Sequence, residues 1–196
     1  RILACDTKAA LEDLYLPYKP KRRTRAMIAR ERGLEPLALR ILEQPADGNP
    51  ALEAQSFVSA EKEVADVEAA LLGARDIVAE LLSEHADARA KVREAFAEQG
   101  VLVSEKAAGL PDAPTKFEQY YDYKEPAHTI PSHRYLALRR AEHEVVVRVA
   151  IEVDEPALAA RVQRQIGVAP ASPFAPLLVE AATDALARLL GPSVEN

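Results

Sequence analysis

The chain has no tryptophan, one cysteine (Cys5), seven glycines and only 5% aromatic residues in 196. A single cysteine excludes an internal disulfide and any zinc site built on cysteines. A reducing compartment is the simplest reading, which places the chain in the cytoplasm. No apolar run reaches the roughly 18 residues that a membrane-crossing helix needs. Phosphate-binding G-x-x-x-x-G-K and G-x-G-x-x-G loops are missing, as are the G-x-S-x-G nucleophile elbow and the H-E-x-x-H zinc motif. The four histidines are His85, His128, His133 and His143, and none forms a compact ligand pair. Carboxylates are plentiful, but on helices they are usually solvated. These absences argue against an enzyme, a bound metal, a cofactor, a small-molecule substrate or a membrane partner.

Alanine and leucine dominate what is present, and both favour helix. Fourteen prolines imply many bounded helices rather than a few long ones. With 196 residues the chain can form one large domain or two small ones. Leu11, Leu14 and Tyr15 share one face of a helix over 7–16, which Pro17 and Pro20 stop. Thr24 caps a helix over 25–32 and Gly33 ends it. Another helix starts near Pro36 and turns Leu34, Leu37 and Ile41 inward. The break at Gln44–Pro50, followed by a short helix over 52–58, divides an N-terminal helical segment, 1–58, from a central region, 59–196.

The strongest helical pattern covers 61–84, with Val64, Val67, Leu71, Ala74, Val78 and Leu81 on one face. Asp87 caps the next helix, which carries Val92, Ala95 and Phe96 inward. Phe117, Tyr120 and Tyr121 lie on one side of a helical turn, and Ser132 caps a helix carrying Tyr135, Leu136 and Leu138. Helices then close the chain near 156–165 and 173–190. Only Val147, Val149, Ile151 and Val153 alternate as a strand does. The fold class expected is mainly α and multihelical, with one short β element: a strand near 145–153, for which 101–103 is the candidate partner.

Two charged constellations stand out. Between Lys19 and Arg32 lie seven basic residues and one acidic one, although the chain carries 25 basic against 31 acidic residues, a net charge of −6. Lys19, Lys21, Arg22, Arg23 and Arg25 follow Tyr15 and Tyr18 and are bracketed by prolines. Cations of this kind suit phosphate contacts, which gain from counterion release. The alternative is a solvated turn whose cations pair with the chain's own carboxylates. The second constellation holds Arg134, Arg139 and Arg140 among glutamates, where intramolecular ion pairs are the default. Tyr120, Tyr121 and Tyr123 could stack bases, but packing in the core is the ordinary role for such a group.

These blocks resemble the Tex family of bacterial transcription accessory proteins. The resemblance rests on "LEDLYLPYKPKRRTRAMIARERGLEPLA", "LLGARDIVAE", "IPSHRYLALRRAEHE" and "RLLGPSVE", in that order along nearly the whole chain. It implies a helical N-terminal and central region, followed in the family by a YqgF-like nuclease-fold domain, a helix-hairpin-helix segment and an OB-fold RNA-binding domain. The chain begins at Arg1 and ends at Asn196, so the expectation is a piece of a longer protein without those C-terminal domains. The implied function is a non-enzymatic helical scaffold in a protein that binds RNA or single-stranded nucleic acid, with the transcription machinery as a further partner. The alternative is a protein-interaction scaffold that docks on polymerase or on the parent's other domains without touching nucleic acid. One departure is visible: the family usually has R-G-E where this chain has Arg140, Ala141 and Glu142. A left-handed turn at position 141 would strain alanine.

Overall fold

The computed structural model describes residues 5, 7–19, 23–110 and 114–195. It is mainly α-helical and carries one small antiparallel sheet. Among these residues two compact units form: one holds those up to Lys91 together with Ala159–Ser193, and the other holds Val92–Leu158 with Val194 and Glu195. The sequence boundary at 58/59 falls inside the first unit.

The first unit begins with α1 (Lys8–Tyr15) and a 3-10 turn (Leu16–Tyr18) that contains Pro17. Helix α2 (Arg25–Glu31) starts where Thr24 accepts the N–H of Met27 at 3.1 Å. It ends in a Schellman motif at Gly33, φ +79°, with N–H to carbonyl bonds Gly33–Arg30 and Leu34–Ala29. Helix α3 (Glu35–Glu43) has Pro36 in its first turn and buries Leu37, Ala38 and Ile41. Helix α4 (Pro50–Gln55) is capped by Asn49. Gln44 and Ser172 bond the end of α3 to the segment before α9 (Ala175–Asp184): the Gln44 amide meets Gly167 and Ala169, and the Ser172 hydroxyl donates to the Pro45 carbonyl.

Helix α5 (Val67–Glu84) is the hub, packed against α2, α3, α4 and α9. It begins later than its apolar pattern predicts. Val64 instead bonds Ser59 in both directions, and Asp66 caps α5 by accepting from Ala69 at 2.7 Å. Its buried face consists largely of Ala70, Ala74, Ile77 and Val78, and the small residues let neighbouring backbones come close. The closing helix is not regular either. After α9 the chain widens into a π-helical stretch, Ala185–Leu190, before α10 (Gly191–Glu195).

In the second unit, the C-terminal part of α6 (Ala86–Gln99) leads into β1 (Val101–Lys106). The sheet order is β2–β1–β3, with β2 at Asp122–Pro126 and β3 at Val147–Glu152. The expected pairing of the two valine-rich segments is present, with Leu102 opposite Ile151, and it extends to Lys106. Strand β2 did not stand out in the sequence, because it is an edge strand of alternating exposure that ends in Pro126. A 3-10 turn, Glu118–Tyr120, precedes it and places Phe117 and Tyr120 in the core beside Leu102, Leu138, Ala141, Val146 and Val147.

Helix α7 (Ser132–His143) covers this core, and α8 (Glu155–Gln165) follows β3. Ala141 lies inside α7 and is fully buried, so no left-handed turn falls there. The turn comes at Val145, φ +57°, where N–H to carbonyl bonds Val145–Glu142 and Val146–Ala141, both 2.9 Å, close a Schellman motif. A β-branched residue in this conformation costs about 1–2 kcal/mol.

Gly73 on α5 marks the closest approach in the first unit. A methyl group there would lie 2.4 Å from Leu34 Cδ1 and 3.3 Å from Ala29 Cβ. Alanine normally stabilises a helix interior by about 1 kcal/mol relative to glycine. Leu34 is only 1% exposed, so its displaced methyl group must be taken up inside the packed core. Gly73→Ala is therefore expected to lower stability by about 1–3 kcal/mol in urea melts. An unchanged or higher midpoint would show that the contact relaxes.

Candidate nucleic-acid interface

The basic stretch divides into two halves. Its C-terminal half is neutralised internally. Arg30 Nη1 donates to Glu80 Oε1 at 2.7 Å and its Nε lies 3.4 Å from Glu35, while Arg32 pairs with Glu63 at 3.0 Å. Burial works against the Arg30 charge, but the hydrogen bond and field of Glu80 outweigh it and hold its pKa above the ordinary arginine value. Glu80 is buried and also accepts from the Thr24 hydroxyl at 2.8 Å. One carboxylate thus fixes both the cap of α2 and a side chain near its end. Nothing local in the sequence signals this contact, because Glu80 lies on a different helix.

The N-terminal half is more open. Tyr15 and Tyr18 are 57% and 80% exposed. Lys19 extends from the 3-10 turn, exposed and without an ion pair among the described residues. Arg23 is exposed and pairs with Glu31 at 3.1 Å. Arg25 is exposed and has no ion pair among the described residues, although it lies close enough to Asp76 to favour that carboxylate's charge. Burial nevertheless pushes the Asp76 pKa up, against the pull of Arg188 at 3.2 Å. Lys21 and Arg22 lie outside the described residues. The start of α2 adds little for anions, since the helix has seven residues and Thr24 already occupies the Met27 N–H.

Helix α1 is anchored by a buried ion pair that sequence spacing could not reveal. Asp13 accepts from Arg89 Nε at 2.6 Å, and Arg89 also donates to the Ser83 carbonyl and the Ser193 hydroxyl. This pair holds the helix that carries Tyr15.

In the second constellation Arg134 Nη1 donates to both oxygens of Glu125, at 2.7 and 2.8 Å, and to Tyr123 Oη at 3.0 Å. The Tyr123 hydroxyl also donates to Glu125. That bond, followed by Arg134, holds the Glu125 pKa below its ordinary value, while burial and the same carboxylate raise that of Tyr123. Arg139 pairs with Glu142 at 2.6 Å, and Arg140 has no ion pair among the described residues. Tyr120 packs edge-on against Tyr123 with ring centres 5.5 Å apart, so these rings serve the fold rather than a free stacking platform. Among the described residues no group of three His, Cys, Asp or Glu is placed to hold a metal, and no helix is long and apolar enough to cross a membrane.

Comparison with known proteins gives a consistent picture. The family pattern described as Tex central region-like matches residues 46–187. "Protein tex" of Bordetella pertussis is 49% identical over 155 residues, which is 78% of this chain and 20% of that protein. "Transcriptional accessory protein Tex" of Neisseria gonorrhoeae is 42% identical over 153 residues, 78% of this chain and 20% of that protein. "Uncharacterized protein YdcI" of Bacillus subtilis is 38% identical over 189 residues, 95% of this chain and 26% of that protein. The chain thus spans about a fifth to a quarter of the length of these curated relatives.

Two predictions follow from the ion pairs. Glu80→Ala leaves Arg30 with only its more exposed pairing to Glu35 and removes the acceptor of the Thr24 hydroxyl, so a loss of about 2–3 kcal/mol is expected in denaturant melts. Glu31→Ala breaks only an exposed pair and should change stability by less than about 1 kcal/mol. Equal effects would remove the special role of Glu80. For Glu125 the folded pKa lies below the ordinary 4.5, so its contribution is complete above that value and fades as pH falls through the folded pKa. The stability gap between wild type and Glu125→Gln should be flat near neutrality and narrow on acidification below 4.5, followed by thermal melts.

Proposed function

The chain belongs to the Tex family, and on that premise we propose that it is a non-enzymatic helical scaffold of a cytoplasmic transcription accessory protein. Its Tyr15–Arg25 edge contacts RNA or single-stranded nucleic acid. The observation that carries this reading is the joint exposure of Tyr15, Tyr18, Lys19 and Arg25 within one short stretch of chain, the two cations having no ion pair among the described residues. Exposed tyrosine rings offer faces on which any base can stack, and the cations neutralise phosphates without reading sequence. Arg23 can exchange its exposed bond to Glu31 for a phosphate at little cost, since such pairs contribute little. Buried pairs at Glu80 and Asp13 hold the flanking helices, so the edge is presented by a firm support.

The printed name of the Neisseria gonorrhoeae relative places that protein in transcription, and the same setting is assigned here by kinship. The contact is electrostatic and non-specific, and the fragment acts as a scaffold that orients other parts of a longer protein. Binding of a labelled oligouridylate should weaken steeply with salt, with a log–log slope near −3 if about four phosphates are neutralised. Combined Arg22→Glu, Arg23→Glu and Arg25→Glu should abolish it, and Tyr18→Ala should weaken it about tenfold. Absence of binding at low salt, a flat salt dependence, or binding unaffected by charge reversal would each overturn this role.

A further inference from the structure

Helix α7 buries Leu138 and Ala141 and turns its opposite face to solvent. Leu136 stands there 64% exposed, with Ser132, Arg139, Arg140 and His143 spaced around it at helical intervals and Tyr135, 43% exposed, at the edge. Val145, just past the helix end, is 72% exposed. Its conformation makes that exposure informative. The α2 and α8 ends close the same Schellman turn with Gly33 and Gly167. α7 closes it with a β-branched residue at φ +57°. Burial of its side chain gives folding nothing in return for the strain. An apolar side chain that is both strained and exposed is accounted for when it meets a partner.

The charge around this face selects the partner. α7 carries three arginines and one glutamate, on a chain whose net charge is −6. Arg134 and Arg139 are paired with Glu125 and Glu142, whereas Arg140 has no ion pair among the described residues. The two most exposed apolar side chains of this surface, Val145 and Leu136, are aliphatic, and the ring of Tyr135 stands only at its edge. We propose that the solvent face of α7, with Val145 at its end, docks an acidic amphipathic helix of a protein partner. That helix seats an apolar anchor against Leu136 and Val145 and sets its carboxylates against Arg140 and Arg139. This is the groove-free form of helix recognition, with charge fixing the register.

The test uses the 196-residue chain and a fluorescent acidic amphipathic peptide with leucines at helical spacing. The same peptide with lysines replacing its acids is the control. The acidic peptide should bind and shift the amide resonances of α7, and the lysine form should not. Leu136→Ala and Arg140→Glu should each weaken binding about tenfold while leaving the melting curve unchanged. Val145→Gly should raise the melting temperature and weaken the peptide, opposite signs that a purely structural role would not produce. Arg23→Glu with Arg25→Glu should leave peptide binding intact, which separates this surface from the proposed nucleic-acid edge. The proposal fails if the peptide does not bind, if Leu136→Ala binds as well as wild type, or if both peptides bind alike. It also fails if oligouridylate displaces the peptide from α7, or if Leu136→Glu disperses a self-associated form in sedimentation.

Discussion

A buried carboxylate governs how the first unit is put together. Glu80 has its side chain only 9% exposed, where an unsatisfied charge would be prohibitive. Both of its oxygens are engaged, one by Thr24 and the other by Arg30. Thr24 in turn caps α2, so the same acid sets the start of that helix and its seat on α5. Two turns earlier on α5, Gly73 receives Ala29 of α2 and Leu34, the residue that precedes α3. The polar clamp and the steric gap lie on one stripe of α5 and define the register between the two helices. Neither acts alone: the clamp without the gap would hold α2 too far away, and the gap without the clamp would leave its rotation undetermined.

That arrangement explains how an acidic chain sorts its cations. Arg30, Arg32, Arg89, Arg134 and Arg188 are committed to carboxylates across or within elements. Such pairs add specificity more than stability when exposed, and become indispensable once buried. Among the described residues Lys19, Arg25 and Arg140 have no ion pair, and neither do Lys62, Arg148, Arg161 and Arg164. Lys19 directly follows the exposed Tyr18 in the chain, and Arg140 shares the solvent face of α7 with the exposed Leu136.

Much of the architecture was legible because it is local. The cap at Thr24, the glycine end at Gly33, the proline start at Pro36 and the alternation of 147–153 each arise from a few neighbouring residues. Readings failed where a distant partner decided the matter. Val64 fits the apolar stripe that leads into α5, yet it is drawn away by pairing with Ser59. Strand β2 has too polar a pattern to announce itself and exists because β1 offers an edge. The π-helical stretch after α9 and the left-handed turn at Val145 have no local propensity behind them. For the candidate edge, composition marked the cations, but which of them remained open could not be read in one dimension.

The sequence by itself determined the helical class, the bounds of α2 and the start of α3, the strand near 145–153 and the kinship to the Tex family. These depend on backbone preference and on periodic burial, which act over one or two turns. Tertiary structure alone decided which arginines are spent on internal acids and which face outward, and why a valine holds a glycine's conformation at position 145. Those outcomes depend on distances between residues far apart in the chain, such as the 56 positions separating Thr24 from Glu80. A charge becomes a handle or a strut only when the fold supplies or withholds its counter-ion.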